Sequence, residues 1–234
     1  MNLAKTKFIR KVFRNSDIKN IEEDIKLLGN NVKFSAPFFI FIRLLSTLLF
    51  FLFLTLVLNI GYIIAPFLTI LYYYLFYYFG ITSNIKKRTK KLDSEALPFF
   101  EILTLTLESG RNLENALEIT CFNVESELSD EFKKTLFEIK FGRSLVEALE
   151  SMKKRIPSES IDNIILNITQ TNIFGSSIID TMYNQIEFLR DKRVLEIKGQ
   201  INKIPNKISI ISVIFVLPII LLLILGPIVI NFLG

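Results

Sequence analysis

The chain has 234 residues, half of them hydrophobic and 22% charged, with a mean hydropathy of +0.42 and a formal net charge of +5. Histidine and tryptophan are absent and there is one cysteine, which excludes histidine-based zinc or haem ligation, a Ser/His or Cys/His catalytic pair and a disulfide within this sequence. Residues 1–36 hold 8 basic and 4 acidic groups, whereas residues 83–207 hold 19 of each, so the large polar segment is neutral and no nucleic-acid-binding surface is expected of it.

The N-terminal segment, residues 1–36, reads as two short amphipathic helices. Phe8, Ile9, Val12 and Phe13 form an apolar stripe among Lys5, Lys7, Arg10, Lys11 and Arg14, the pattern of a helix on an anionic membrane surface. Asn15-Ser16-Asp17 supplies a break and an N-cap. Ile18, Ile21, Ile25 and Leu28 then recur at helical spacing until Gly29-Asn30-Asn31 ends the second helix. Packing against membrane lipids is the expected role of both, with docking to a partner as the alternative.

Residues 37–82 carry no charge except Arg43, over roughly twice the ~20 residues that cross a bilayer once. Turn-compatible Asn59-Ile60-Gly61, with Pro66 beyond, divides the run into a transmembrane hairpin of about Pro37–Leu58 and Tyr62–Phe79. Arg43 stands two turns inside the boundary, where it is expected to snorkel back to the interface rather than act within the membrane. Tyr72, Tyr73, Tyr74, Tyr77 and Tyr78 form an aromatic belt. Lys86, Lys87, Arg88, Lys90 and Lys91 follow the hairpin, while the hairpin loop and the C-terminal run lack basic residues. The N-terminus and middle segment are therefore expected in the cytoplasm and the C-terminus outside. A cleavable signal peptide is not expected, because the first 33 residues are charged and the apolar run starts late.

Within residues 83–207 one unit is written three times. Gly110-Arg111-Asn112-Leu113-Glu114-Asn115-Ala116-Leu117 is echoed by Gly142-Arg143-Ser144-Leu145-Val146-Glu147-Ala148-Leu149, and more weakly by Gly175-Ser176-Ser177-Ile178-Ile179-Asp180-Thr181-Met182. The glycines lie 32 and 33 residues apart, a supersecondary period. In each copy glycine ends a helix in the left-handed conformation, and Asn112, Ser144 or Ser177 caps the next. Ser144 with Glu147 and Ser177 with Asp180 have capping-box spacing. The three turns imply six helices, roughly 94–109, 113–123, 128–141, 145–155, 158–174 and 178–203. Pro98 and Pro157 then fall at helix starts, where proline is tolerated. Pro205 separates the sixth helix from the last crossing, residues 208–234, which carries Pro218 and Pro227.

The expected fold is thus all-α: an integral membrane protein with three transmembrane helices and a six-helix cytoplasmic bundle. None of the nine glycines forms a phosphate-cradling loop. The carboxylates are spread at helical intervals among lysines, and Cys121 sits beside Phe122 on an apolar-rich helix as a small core residue. No catalytic residue, cofactor or metal is expected.

The doubled Gly-x-(Asn/Ser)-Leu-x-x-Ala-Leu turn resembles that of the type II secretion F domain over about Leu97–Val229. Leu97-Pro98, Leu107-Glu108-Ser109-Gly110, Phe141–Leu149, Ile156-Pro157, Phe174-Gly175, Leu217-Pro218 and Gly226-Pro227 match in order. The third turn departs from the pattern, with Thr181-Met182 in place of Ala-Leu. One copy of the domain after a hairpin and before a single crossing is similar to the platform proteins of tight-adherence (Flp, type IVc) pili. The resemblance implies an inner-membrane scaffold of a prokaryotic cell that couples a separate cytoplasmic secretion ATPase to assembly of pilin subunits, paired with itself or with a sister platform protein. Arg111 and Arg143 are candidates for the partner interface, with solvated turn residues as the alternative, and Pro205 for a hinge. A membrane adaptor or receptor that recruits a signalling partner stays open as a second reading. So does a transporter or channel subunit, although three crossings supply little polar lining.

Overall fold

In the computed structural model the described residues are 15–29, 35–57, 61–174 and 177–233, and every regular element among them is helical. The expected helix around Phe8–Phe13 and the turn residues Gly175 and Ser176 lie outside the described residues. The chain divides into two units, residues 1–185 and 186–234, which are taken separately.

The first unit begins with α1 (Asn15–Leu27), followed by the hairpin α2 (Ala36–Val57) and α3 (Gly61–Tyr77). Gly29, with φ of 82°, follows α1 as its left-handed terminator, and its N–H donates to the Lys26 carbonyl at 3.1 Å. The apolar stripe of α1 does not face lipid. Ile18 and Ile21 are buried with Ala36, Phe39 and Ile40 of α2 and with Ile81, and Ile25 and Leu28 pack around them. The spacing was right for a helix, but an apolar face cannot by itself distinguish lipid from protein as the medium it enters.

The second membrane helix does not stop at the polar boundary. α3 runs through one π-helical turn, Tyr78–Thr82, into α4 (Ser83–Glu108). The Ser83 N–H reaches back to the Tyr78 carbonyl, and the Asn84 side chain donates to the Gly80 carbonyl at 2.9 Å. Gly80 matters here because a Cβ would stand 3.1 Å from the Phe39 ring. The first domain helix therefore starts about eleven residues before the expected Ser94, and Pro98 lies in its interior rather than its first turn. The buried stripe Arg88, Leu92, Ala96, Phe99, Leu103 and Leu107 keeps helical spacing through the proline, and packing on that face outweighs the lost backbone bond.

From there the bundle follows the repeat: α5 (Leu113–Asn123), α6 (Glu127–Lys140), α7 (Leu145–Lys153), α8 (Glu159–Phe174) and α9 (Ile178–Ile201). Short connections make successive helices antiparallel. Phe99 stacks on Phe132 at 4.7 Å between centroids, and Phe100 meets both rings edge-on. Leu117, Leu128, Leu149, Met152, Ile161 and Ile164 complete a buried core. In the second unit, α9 ends at Ile201 and α10 (Lys203–Leu233) begins after a one-residue break at Asn202. Pro205 is the third residue of α10, inside the first turn, where the missing N–H has no intrahelical partner to lose. Three helical stretches among the described residues, Ala36–Val57, Ile64–Glu108 and Ile178–Leu225, are long and apolar enough to cross a membrane.

Candidate partner interface

The alternation of the bundle sorts its connections into two ends. α4 leaves the hairpin and spans 26 residues, about 39 Å at 1.5 Å per residue, so the turns after α4 and α6 lie at the end of the bundle away from the hairpin. The Tyr183 hydroxyl at the start of α9 donates to the Glu108 carboxylate at the end of α4, tying these two helix ends together. The α5–α6 and α7–α8 connections lie at the hairpin side, near the start of α4. There Thr89 donates to the Pro157 carbonyl at 2.7 Å, Ser158 to Asp93 at 2.5 Å, and the Leu128 N–H to Glu95 at 3.0 Å.

The distal turns have the expected chemistry. Gly110 and Gly142 have φ of 82° and 92°, and a Cβ at either would meet nothing within 4 Å, so backbone conformation alone requires glycine there. At Gly142 both bonds of a Schellman motif form: the Gly142 N–H to the Ile139 carbonyl at 2.9 Å and the Arg143 N–H to the Glu138 carbonyl at 3.2 Å. Asn112 accepts from the Asn115 N–H at 2.9 Å, and Ser177 from the Asp180 N–H at 3.3 Å. Ser144 and Glu147 close a complete capping box. These residues build the turns; Arg111 and Arg143 are what the turns present. Both are exposed, but Arg143 is held by Glu138 at 2.6 Å, whereas Arg111 has no ion pair among the described residues.

Sequence reasoning missed the network behind Arg143. Glu138 also accepts from Arg155 at 2.8 Å, and Arg155 binds Glu131 at 3.1 Å. Glu131, 2% exposed, accepts from Lys134 at 2.7 Å and from Arg88 at 3.1 Å. Arg88 further binds Glu127 at 2.5 Å. The signal was present: Arg88 occupies the buried stripe of α4 and Glu131 that of α6, between Leu128 and Phe132. A basic flank and a mixed-charge helix hid them. Burial pushes the Glu127 carboxyl up, but hydrogen bonds from Arg88 and Lys91 outweigh it and hold the group below its ordinary value. For Glu138, burial is likewise outweighed by Arg143, Arg155 and Ser151.

Within the hairpin, Arg43 is buried rather than extended to the interface. Its guanidinium donates to the Tyr73 carbonyl at 3.3 and 3.1 Å and lies 3.5 Å from the Tyr73 ring centroid. An aromatic face and a carbonyl on the neighbouring helix replace the headgroup water that snorkelling would reach. The Cys121 thiol is buried and pushed up to about 12, chiefly by desolvation, the environment of an inert core residue. No group of His, Cys, Asp and Glu suited to a metal occurs among the described residues.

A helical domain of repeated capped turns, joined without a break to a membrane hairpin, defines an all-α membrane scaffold. Residues 99–226, more than half the chain, match the family model described as type II secretion system (T2SS), protein F, and the chain belongs to that family of membrane platform proteins, which serve type II secretion and type IV pilus systems. No curated protein and no solved structure matches the chain significantly.

Proposed function

We propose that the chain is the inner-membrane platform of a tight-adherence type pilus, coupling a separate cytoplasmic ATPase to the transfer of pilin subunits from the bilayer into a filament. The observation that carries this reading is the family match over residues 99–226, in a sequence with one hairpin before the matched residues and one apolar crossing at their C-terminal end. The sequence has no phosphate-binding loop, which fits the assignment of the motor to a separate chain. The membrane-distal turns, with Arg111 and Arg143, are the surface offered to the motor, and the apolar crossings are offered to the pilin helix. The positive flanks support a cytoplasmic N-terminus and domain, and an outside C-terminus. The platform acts as an oligomer with itself or a sister chain, and Pro205, one turn beyond the break at Asn202, is the point of bending between domain and last crossing.

Deletion of the gene tests this reading. Cells are expected to keep pilin in the membrane and to lose surface filaments, counted by electron microscopy and restored by the intact gene. Normal filament numbers in the deletion strain contradict it. A Pro205→Ala chain expressed at normal level is expected to restore fewer filaments, and full restoration removes the hinge.

A further inference from the structure

One buried guanidinium joins three parts of the first unit. Arg88, 7% exposed, donates through Nη1 both to the Leu27 carbonyl at the end of α1 and to the Arg155 carbonyl in the α7–α8 turn, each at 2.7 Å. Its Nε and Nη2 serve Glu127 and Glu131 of α6. Gly29 lies directly against this group: a Cβ added there would stand 2.8 Å from Arg88 Nε and 2.9 Å from Cζ. One turn back along α1, Asp24 accepts a hydrogen bond from the Tyr77 hydroxyl at the end of α3. Between and beside these bonds, Ile18 and Ile21 fill the apolar cluster formed by α2 and the π-helical turn.

We propose that α1 is a strap latched to the membrane hairpin through Asp24–Tyr77 and to the helical domain through Leu27–Arg88, so that the seating of the strap depends on how α6 and the α7–α8 turn are arranged around Arg88. The chemistry of the latch gives it two states. With both carboxylates and both carbonyls in place, all of the Arg88 bonds are made and the charge is compensated. Displacing the α7–α8 turn or neutralising a carboxylate leaves a buried cation under-satisfied, and the guanidinium turns away from the Leu27 carbonyl toward remaining partners or water. α1 then keeps only its apolar contacts and the Tyr77 bond. The strap is thereby a reporter of domain arrangement at the mouth of the hairpin, whatever partner moves the domain.

Amide hydrogen exchange on the full chain in detergent micelles tests the latch. Gly29→Ala, which forces the Arg88 side chain away, and Glu127→Gln, which weakens it from the domain side, are each expected to raise exchange of the α1 amides, residues 15–27, by about tenfold or more, the scale of one lost charge-assisted hydrogen bond. The α8 amides should stay protected, and Lys133→Gln, which removes an exposed pair with Asp130, should change nothing. Because the left-handed backbone at Gly29 strains alanine by itself, Gly29→Ala is also made in an Arg88→Gln chain: a rise in α1 exchange that disappears there supports the latch, and one that persists without the guanidinium overturns it. Unchanged α1 exchange in Gly29→Ala, or α1 exchanging at unprotected rates in the unaltered chain, overturns the proposal.

Discussion

Glu131 is the residue on which the electrostatics of the bundle turn. It is almost fully buried and faces Arg88, Lys134 and Arg155. Removing one member of a buried ion-pair set leaves the others uncompensated, a loss of about 3–5 kcal/mol. Glu131→Gln is therefore expected to lower the thermal midpoint by many degrees, whereas Lys133→Gln on the same helix, half-exposed in its pair with Asp130, shifts stability by about 0.5 kcal/mol or less. Equal midpoints for the two variants would contradict the burial. Acid acts on the same network. Because the folded-state values of Glu127 and Glu138 lie below the ordinary 4.5, their contribution is complete above that pH and is lost as pH falls through the folded values. Asp162, whose carboxyl is held above its ordinary value by burial, acts in the opposite direction, so the network is read by difference: below pH 4.5 the loss of thermal midpoint should be smaller in Glu138→Gln than in the unaltered chain. At Cys121 the expected result is resistance of the native thiol to maleimide at neutral pH and full labelling after unfolding.

Among the elements, the repeat turns were the most legible feature because glycine and the capping side chains have local causes. A left-handed glycine followed two residues later by Asn or Ser needs no tertiary knowledge, and α5 ran over exactly the residues its cap and periodicity implied. What sequence could not settle was decided at longer range. The π-helical continuation into α4 depends on Phe39 packing over Gly80, and the inward turn of Arg43 on Tyr73 of the neighbouring helix. Two glycines separate conformational from neutral roles. Gly142→Ala is expected to destabilise by about 1 kcal/mol, since φ is 92°. Gly199→Ala, in the last turn of α9 with nothing within 4 Å of its Cβ, is expected to stabilise by about 0.5 kcal/mol. Thermal or denaturant unfolding of both variants checks the pair, and shifts of the same sign would contradict the turn geometry.

On the scale of the whole molecule, the hairpin and the helical domain share a continuous helix, so the first bundle helix is also the extension of a membrane helix. No break in helical structure separates the hairpin from the domain at residues 82–83. The three crossings and the neutral domain between them were visible in charge and hydropathy alone; the Arg88 junction was not, because its charges lie inside stripes that otherwise read as apolar core or solvated flank. The platform role is tested most directly by affinity purification of the tagged chain from gently solubilised native membranes, with every co-purifying chain identified and its stoichiometry measured. Recovery of a secretion-type ATPase together with pilin or a sister platform chain is the predicted result. Recovery of a signalling protein with neither motor nor pilin would contradict it.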